Sequence, residues 1–156
     1  TILSTARFCY IVHDAVTPQS VNKDVFNMAQ IKIYGLTATV NQYRTLLSLA
    51  IQQAVVDALS YPVEKKFQRY IGLETADFIY PADRSQHYLI IEISLFEGRS
   101  IEAKKSLIRL LFAYIERDVG ISSQNVEITI FETPKHHWGI RGVCGDELAL
   151  NYKVNV

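Results

Sequence analysis

The stretch Ile31-Lys32-Ile33-Tyr34, punctuated by Gly35, and its later answer Ile91-Glu92-Ile93 decide the fold. Each alternates apolar and less apolar residues, the period-two pattern of a strand with one buried face. After the first, Tyr43, Leu46, Leu47, Ala50, Ile51, Ala54, Val55, Ala58 and Leu59 recur at helical spacing and form one apolar face. Arg44, Ser48, Gln52 and Asp57 fall mostly away from that face. Thr39-Val40-Asn41-Gln42 fits a capping box, in which hydroxyl and amide satisfy two orphan backbone N–H groups. Tyr61-Pro62 stops the helix, because a proline disfavours the helical conformation in the residue before it. Residues 67–73 then read as a second strand.

The second half repeats the plan. Residues 88–95 form a strong strand, and Gly98-Arg99-Ser100 punctuates it. Ser100 suits an N-cap, with Glu102 near the positive end of the helix dipole. Leu107, Ile108, Leu111, Tyr114 and Ile115 give the second apolar face, and Gly120 suits the left-handed position after it. Val126-Glu127-Ile128-Thr129-Ile130 alternates as a strand.

Two β-α-β units predict an α/β protein with a four-stranded mixed sheet and two helices on one face. The other sheet face is left bare, and a neighbouring subunit is the expected cover. Ahead of the first unit, residues 6–16 read as a strand and Thr17-Pro18-Gln19-Ser20 as a turn. The end of the chain, residues 148–156, alternates like an edge or inter-subunit strand.

Composition narrows the function. A chain of 156 residues suits one domain, and 49% hydrophobic residues exclude disorder as the main state. Sixteen basic residues balance sixteen acidic ones, so no overall positive field exists to hold nucleic acid, and no nucleic-acid partner is expected. The longest apolar runs are too short to cross a bilayer, so no membrane partner is expected either. Cys9 and Cys144 form no CxxC pair and no disulfide framework. Phe8-Cys9-Tyr10-Ile11-Val12 is too short for a signal-peptide core. A cytoplasmic location is the expectation.

Few residues carry visible chemistry. Arg99 lies on a turn from a strand into a helix, where anions are favoured, and its planar fork suits a carboxylate. The alternative reading, and the one position alone favours, is a solvated turn arginine. Trp138, the sole tryptophan, is either a pocket wall or a core aromatic, and Arg141 is a second anion grip or a surface charge. His136-His137 have no partner at ligand spacing, so no metal is expected, and no cofactor motif is present. Ser4 with His13-Asp14 assembles no readable triad.

Several segments together resemble the tautomerase superfamily, the group of 4-oxalocrotonate tautomerase and malonate semialdehyde decarboxylase. They are Phe96-Glu97-Gly98-Arg99-Ser100-Ile101-Glu102-Ala103-Lys104-Lys105, Gly120-Ile121-Ser122 and Trp138-Gly139-Ile140-Arg141-Gly142. In the first half, Met28-Ala29-Gln30-Ile31-Lys32-Ile33-Tyr34-Gly35, Phe67-Gln68-Arg69 and Phe78-Ile79-Tyr80-Pro81 agree. The resemblance runs from about residue 28 to the end. It implies an N-terminal extension over 1–27 and a tautomerase-like domain over 28–156, with repeats at about 29–73 and 87–131 and a tail at 132–156. It also implies a homotrimer and an isomerase acting on small enol or keto acids.

The family mechanism uses an amino-terminal proline, whose secondary amine is a base near neutral pH because its pocket disfavours the ammonium. The resemblance puts Arg99 at the carboxylate-gripping arginine, Trp138 at the aromatic of the glycine-bracketed loop and Arg141 at an arginine of longer members. The proline position falls at Ala29, whose nitrogen is an amide in this chain and is no base. Lys65 stands at the decarboxylase's acidic position, and Glu97 at the first of its paired arginines. Either the extension belongs to a member that has lost the usual chemistry, or the working protein begins near Met28, the sole methionine. Two functions follow. One is a weak or atypical tautomerase binding a small carboxylate through Arg99, with Tyr34 and His137 as candidate bases by residue type. The other is a non-catalytic homotrimer that binds a small anion or a protein.

Overall fold

The structure, a computed structural model, describes residues 29–147. The expected strand at 6–16, the turn after it, Met28, Cys9, the Ser4/His13/Asp14 set and the strand at 148–156 lie outside the described residues. Strand β1 (Ala29–Leu36) leads into α1 (Thr37–Leu59) and β2 (Gln68–Leu73). Strand β3 (Leu89–Phe96) leads into α2 (Ile101–Val119) and β4 (Val126–Thr133). A hairpin of β5 (Gly139–Ile140) and β6 (Val143–Cys144) follows.

The four long strands form one mixed sheet in the order β2-β1-β3-β4. Each β-α-β unit pairs its own strands in parallel, as a crossover within one sheet requires. The units meet antiparallel along β1 and β3, with Ile31 opposite Ile93, Lys32 opposite Glu92 and Ile33 opposite Ile91. The two stretches that answer each other in sequence therefore lie side by side.

Burial alternates along both central strands. Ile31, Ile33, Ile91 and Ile93 point into the core, where Leu47, Ile51 and Val55 of α1 and Leu107, Leu111 and Ile115 of α2 meet them. The helices also pack against each other. The other sheet face carries polar groups. Lys32 Nζ pairs with Glu92 at 3.5 Å, the Tyr34 hydroxyl donates to Glu92 at 3.1 Å, and Arg69 donates to Gln30 at 3.1 Å.

Three local expectations are corrected. Helix α1 begins at Thr37, and its N-cap Leu36 offers no side-chain acceptor. The capping box does not form, because the Thr39 hydroxyl is buried and donates to the Gln86 carbonyl at 2.8 Å. The apolar face of α1 is also shifted: Leu46 is 46% exposed, whereas Gln52 is buried and donates to the carbonyls of Val63 and Lys65. Those bonds fold the chain after Tyr61 back onto the helix. Gly35 does not end β1 but sits inside it, where a Cβ would come within 2.7 Å of Leu89 Cδ2.

Helix α2 follows the sequence closely. Ser100 Oγ accepts from the Ala103 N–H at 3.1 Å, and Gly120 closes the helix at φ 77°. Both features are local, so the core should dominate stability. Leu111→Ala is expected to cost roughly 2–5 kcal/mol in urea unfolding. Ser100→Ala is expected to cost about 1 kcal/mol. Equal losses from the two would contradict this division.

Candidate active site at the Arg99 end of the sheet

The sheet pairing brings three chain segments to one end. Ala29 starts β1 opposite Leu95, near the finish of β3, and β4 finishes beside Phe96. Gly98, at φ 110°, then turns the chain into α2. The turn is tied to β4. The Glu97 N–H donates to the Thr133 carbonyl at 3.1 Å, and the Arg99 N–H donates to Glu132 at 3.3 Å. Glu132 also pairs with Lys104 at 2.7 Å, so one carboxylate fastens the turn to the first helical turn.

Arg99 is not a solvated turn residue. It is 8% exposed, and its guanidinium donates to the carbonyl of Leu59, the last residue of α1, at 3.4 Å. A cation there faces the negative end of that helix. The side chain lines a cavity of about 150 Å³ with Ala58, Leu59, Ser60, Ser100 and Ala103. That cavity lies where α1 ends and α2 begins.

Tyr61, beside but not part of the Arg99 cavity lining, is the residue that sequence reasoning missed. In the sequence it marks only a helix stop, with Pro62. Its ring is buried, and its hydroxyl accepts from the Ala29 N–H at 3.4 Å. Burial raises its pKa above the ordinary tyrosine value, and the Ala29 N–H and the nearby charge of Arg99 oppose that rise. The phenol therefore stays protonated at neutral pH. A signal was present: a tyrosine directly after a helix must lie at the end where that helix stops.

The other expected site residues are distributed unevenly. Ala29 is buried, and its backbone N–H is engaged with Tyr61. Trp138 packs edge-on against Phe96 at 5.0 Å and donates from Nε1 to the Thr133 hydroxyl at 2.7 Å. It thus sits at the same sheet end, although it is not part of the Arg99 cavity lining. Arg141 and Gly142 both have positive φ and form the two-residue tip of the β5–β6 hairpin. That places Arg141 outside the cavity, on an exposed turn.

Tyr34 is held on the sheet face opposite the helices by Glu92. His136 and His137 are exposed and pack ring edge to ring face at 4.5 Å. Among the described residues no group of three His, Cys, Asp or Glu side chains converges on a point. No described helix is long and apolar enough to cross a membrane.

The two units are not equivalent in charge. The offset by which Ile91-Glu92-Ile93 answers Ile31-Lys32-Ile33 makes Thr39 the counterpart of Arg99. The Thr39 hydroxyl is buried and donates to the Gln86 carbonyl. An arginine turn therefore exists at one end of the described sheet only.

Comparison with known proteins agrees with this architecture. A family model described as "Tautomerase enzyme" matches residues 65–141. The 2-hydroxymuconate tautomerase of Comamonas testosteroni is 42% identical over 57 residues, which is 36% of this chain and 90% of that protein. A probable tautomerase of Bacillus subtilis is 25% identical over 97 residues, covering 59% of this chain and 76% of its own length. A malonate semialdehyde decarboxylase structure superposes with a TM-score of 0.64 at 22% identity, covering 71% of this chain and 89% of that one. A native fused 4-OT gives 0.66 at 21% identity, with 76% and 98% covered. Paired β-α-β units, the EGRS turn and a relative covered over nine-tenths of its length lead to one assignment: the chain belongs to the tautomerase superfamily.

Proposed function

We propose that this protein binds a small enol or keto acid through Arg99 and interconverts its tautomers at a low or atypical rate. The observation that carries this reading is the buried Arg99 guanidinium lining a small cavity at the N-terminus of α2. A carboxylate there gains a forked, charge-assisted partner and the positive end of a helix. Among its contacts the guanidinium has a hydrogen bond to the neutral Leu59 carbonyl at 3.4 Å, a long one that a carboxylate oxygen can replace.

The low rate follows from the missing amine. The Ala29 nitrogen is peptide-bonded, so its lone pair is delocalised and takes no proton. The Tyr61 hydroxyl accepts a hydrogen bond from that nitrogen, and its raised pKa keeps it a proton donor at neutral pH. It suits stabilisation of an enolate oxygen by a hydrogen bond, with solvent removing the carbon-bound proton.

The buried amide nitrogen of Ala29 also favours a second reading, a non-catalytic member that binds the same carboxylate. In both readings residues 1–27 are an extension ahead of the domain at 28–156, and the protein is cytoplasmic. The polar bare face of the sheet lies at the centre of a homotrimer. The fused 4-OT proteins of similar fold are described as trimers, which supports that assembly.

Ketonisation of phenylenolpyruvate, followed by ultraviolet absorbance, tests the assignment. The full chain should exceed the buffer rate, and Arg99→Ala should lower kcat/KM roughly ten- to hundredfold. A wild-type rate in Arg99→Ala would remove Arg99 from the site. Binding of phenylpyruvate that depends on Arg99, with no rate above buffer, would select the non-catalytic reading. Light scattering after size exclusion should give about three times the 17.8 kDa chain mass, and a monomer mass would refute the trimer.

A further inference from the structure

A second cavity, of about 410 Å³, opens between the first half of α1 and β2. It shares no lining residue with the Arg99 cavity. Arg44, Ser48, Leu49, Lys66, Gln68 and Tyr70 line it, and no carboxylate does. Its two cations are held by neutral groups. Arg44 donates to the Asn41 side-chain oxygen at 2.9 Å, and Lys66 donates to the Ser48 hydroxyl at 3.3 Å. Elsewhere the lysines facing strands pair with carboxylates, as Lys32 does with Glu92 and Lys104 with Glu132. Among the described residues no carboxylate lines this cavity beside its two cations, and an incoming anion can pair with both.

Tyr70 and Leu49 supply the apolar part of the lining, beside the polar Thr45, Ser48 and Gln68. The Arg44 guanidinium carbon lies 5.9 Å from the centre of the Tyr70 ring. The Tyr70 hydroxyl donates to Gln68 at 3.0 Å, and the Gln68 amide donates to the Ser48 carbonyl at 3.2 Å. This chain of bonds fixes the ring before any ligand arrives, which lowers the ordering cost of binding. Leu49, 59% exposed, adds an open apolar surface. Burial pushes the Tyr70 hydroxyl up to about 12, so it remains uncharged and does not repel an anion.

We infer that this α1–β2 cavity is a second binding site, for a small aromatic or conjugated carboxylate. Its carboxylate lies between Arg44 and Lys66, and its flat body lies against Tyr70 and Leu49. The inference does not depend on catalysis at Arg99.

Amide NMR of the full chain titrated with benzoate tests it, with benzamide as the uncharged control. Benzoate should move the signals of residues 44–49 and 66–70. The double variant Arg44→Gln/Lys66→Gln should weaken that binding at least tenfold, about 1.4 kcal/mol, while its spectrum stays dispersed. Benzamide should bind at least tenfold more weakly than benzoate, and Arg99→Ala should leave these shifts unchanged. Shifts confined to residues 58–60 and 99–103 would overturn the inference. So would no shift at all, or equal benzoate affinity in the double variant.

Discussion

The antiparallel seam between β1 and β3 is the constraint on which the rest of this molecule depends. Each β-α-β unit alone has two strands and one helix, too little to bury an apolar face. Pairing Ile31 with Ile93 and Ile33 with Ile91 joins two half-cores into one beneath both helices. The same seam sets the direction of the strands. It puts the start of β1 beside the finish of β3, and so brings Ala29 to the end of the sheet that carries Arg99. Slipping the register by one residue would turn the isoleucines outward and bury Lys32 and Glu92. Those two residues form an ion pair across the seam, which works against that slip.

Site and scaffold are coupled through short local ties. Glu132 on β4 holds both the Arg99 backbone and Lys104, so the turn and the start of α2 move as one piece. Arg99 in turn reaches the carbonyl end of α1. The cation that is proposed to meet substrate therefore also bridges the two units. Duplication of the β-α-β unit did not duplicate the arginine, because Thr39 holds the corresponding place. This confines the Arg99 chemistry to one end of the described sheet.

The repeat, the mixed sheet and the α2 caps were legible because they rest on local periodicity and on residues with strong positional preferences, such as Ser100 and Gly120. The start of α1 was not. The Thr39 hydroxyl has a long-range partner in Gln86, and a capping motif cannot reveal a competitor so distant in sequence. Gln52 was placed away from the core for a similar reason, since its partners lie in the loop beyond the helix. For the site, sequence marked Arg99 but not its burial, and it missed Tyr61 altogether. Both depend on the α1 terminus meeting the α2 turn, a contact that only the folded sheet creates. Trp138 was read as either wall or core, and its partners Phe96 and Thr133 show it bracing the sheet end.

The central claim is that the Arg99 guanidinium receives the carboxylate of a small acid. A crystal structure of the protein grown with phenylpyruvate tests it most directly. The account predicts the ligand carboxylate within hydrogen-bond distance of Arg99, with the guanidinium drawn away from the Leu59 carbonyl. A carboxylate bound elsewhere, with Arg99 still on that carbonyl, would contradict it.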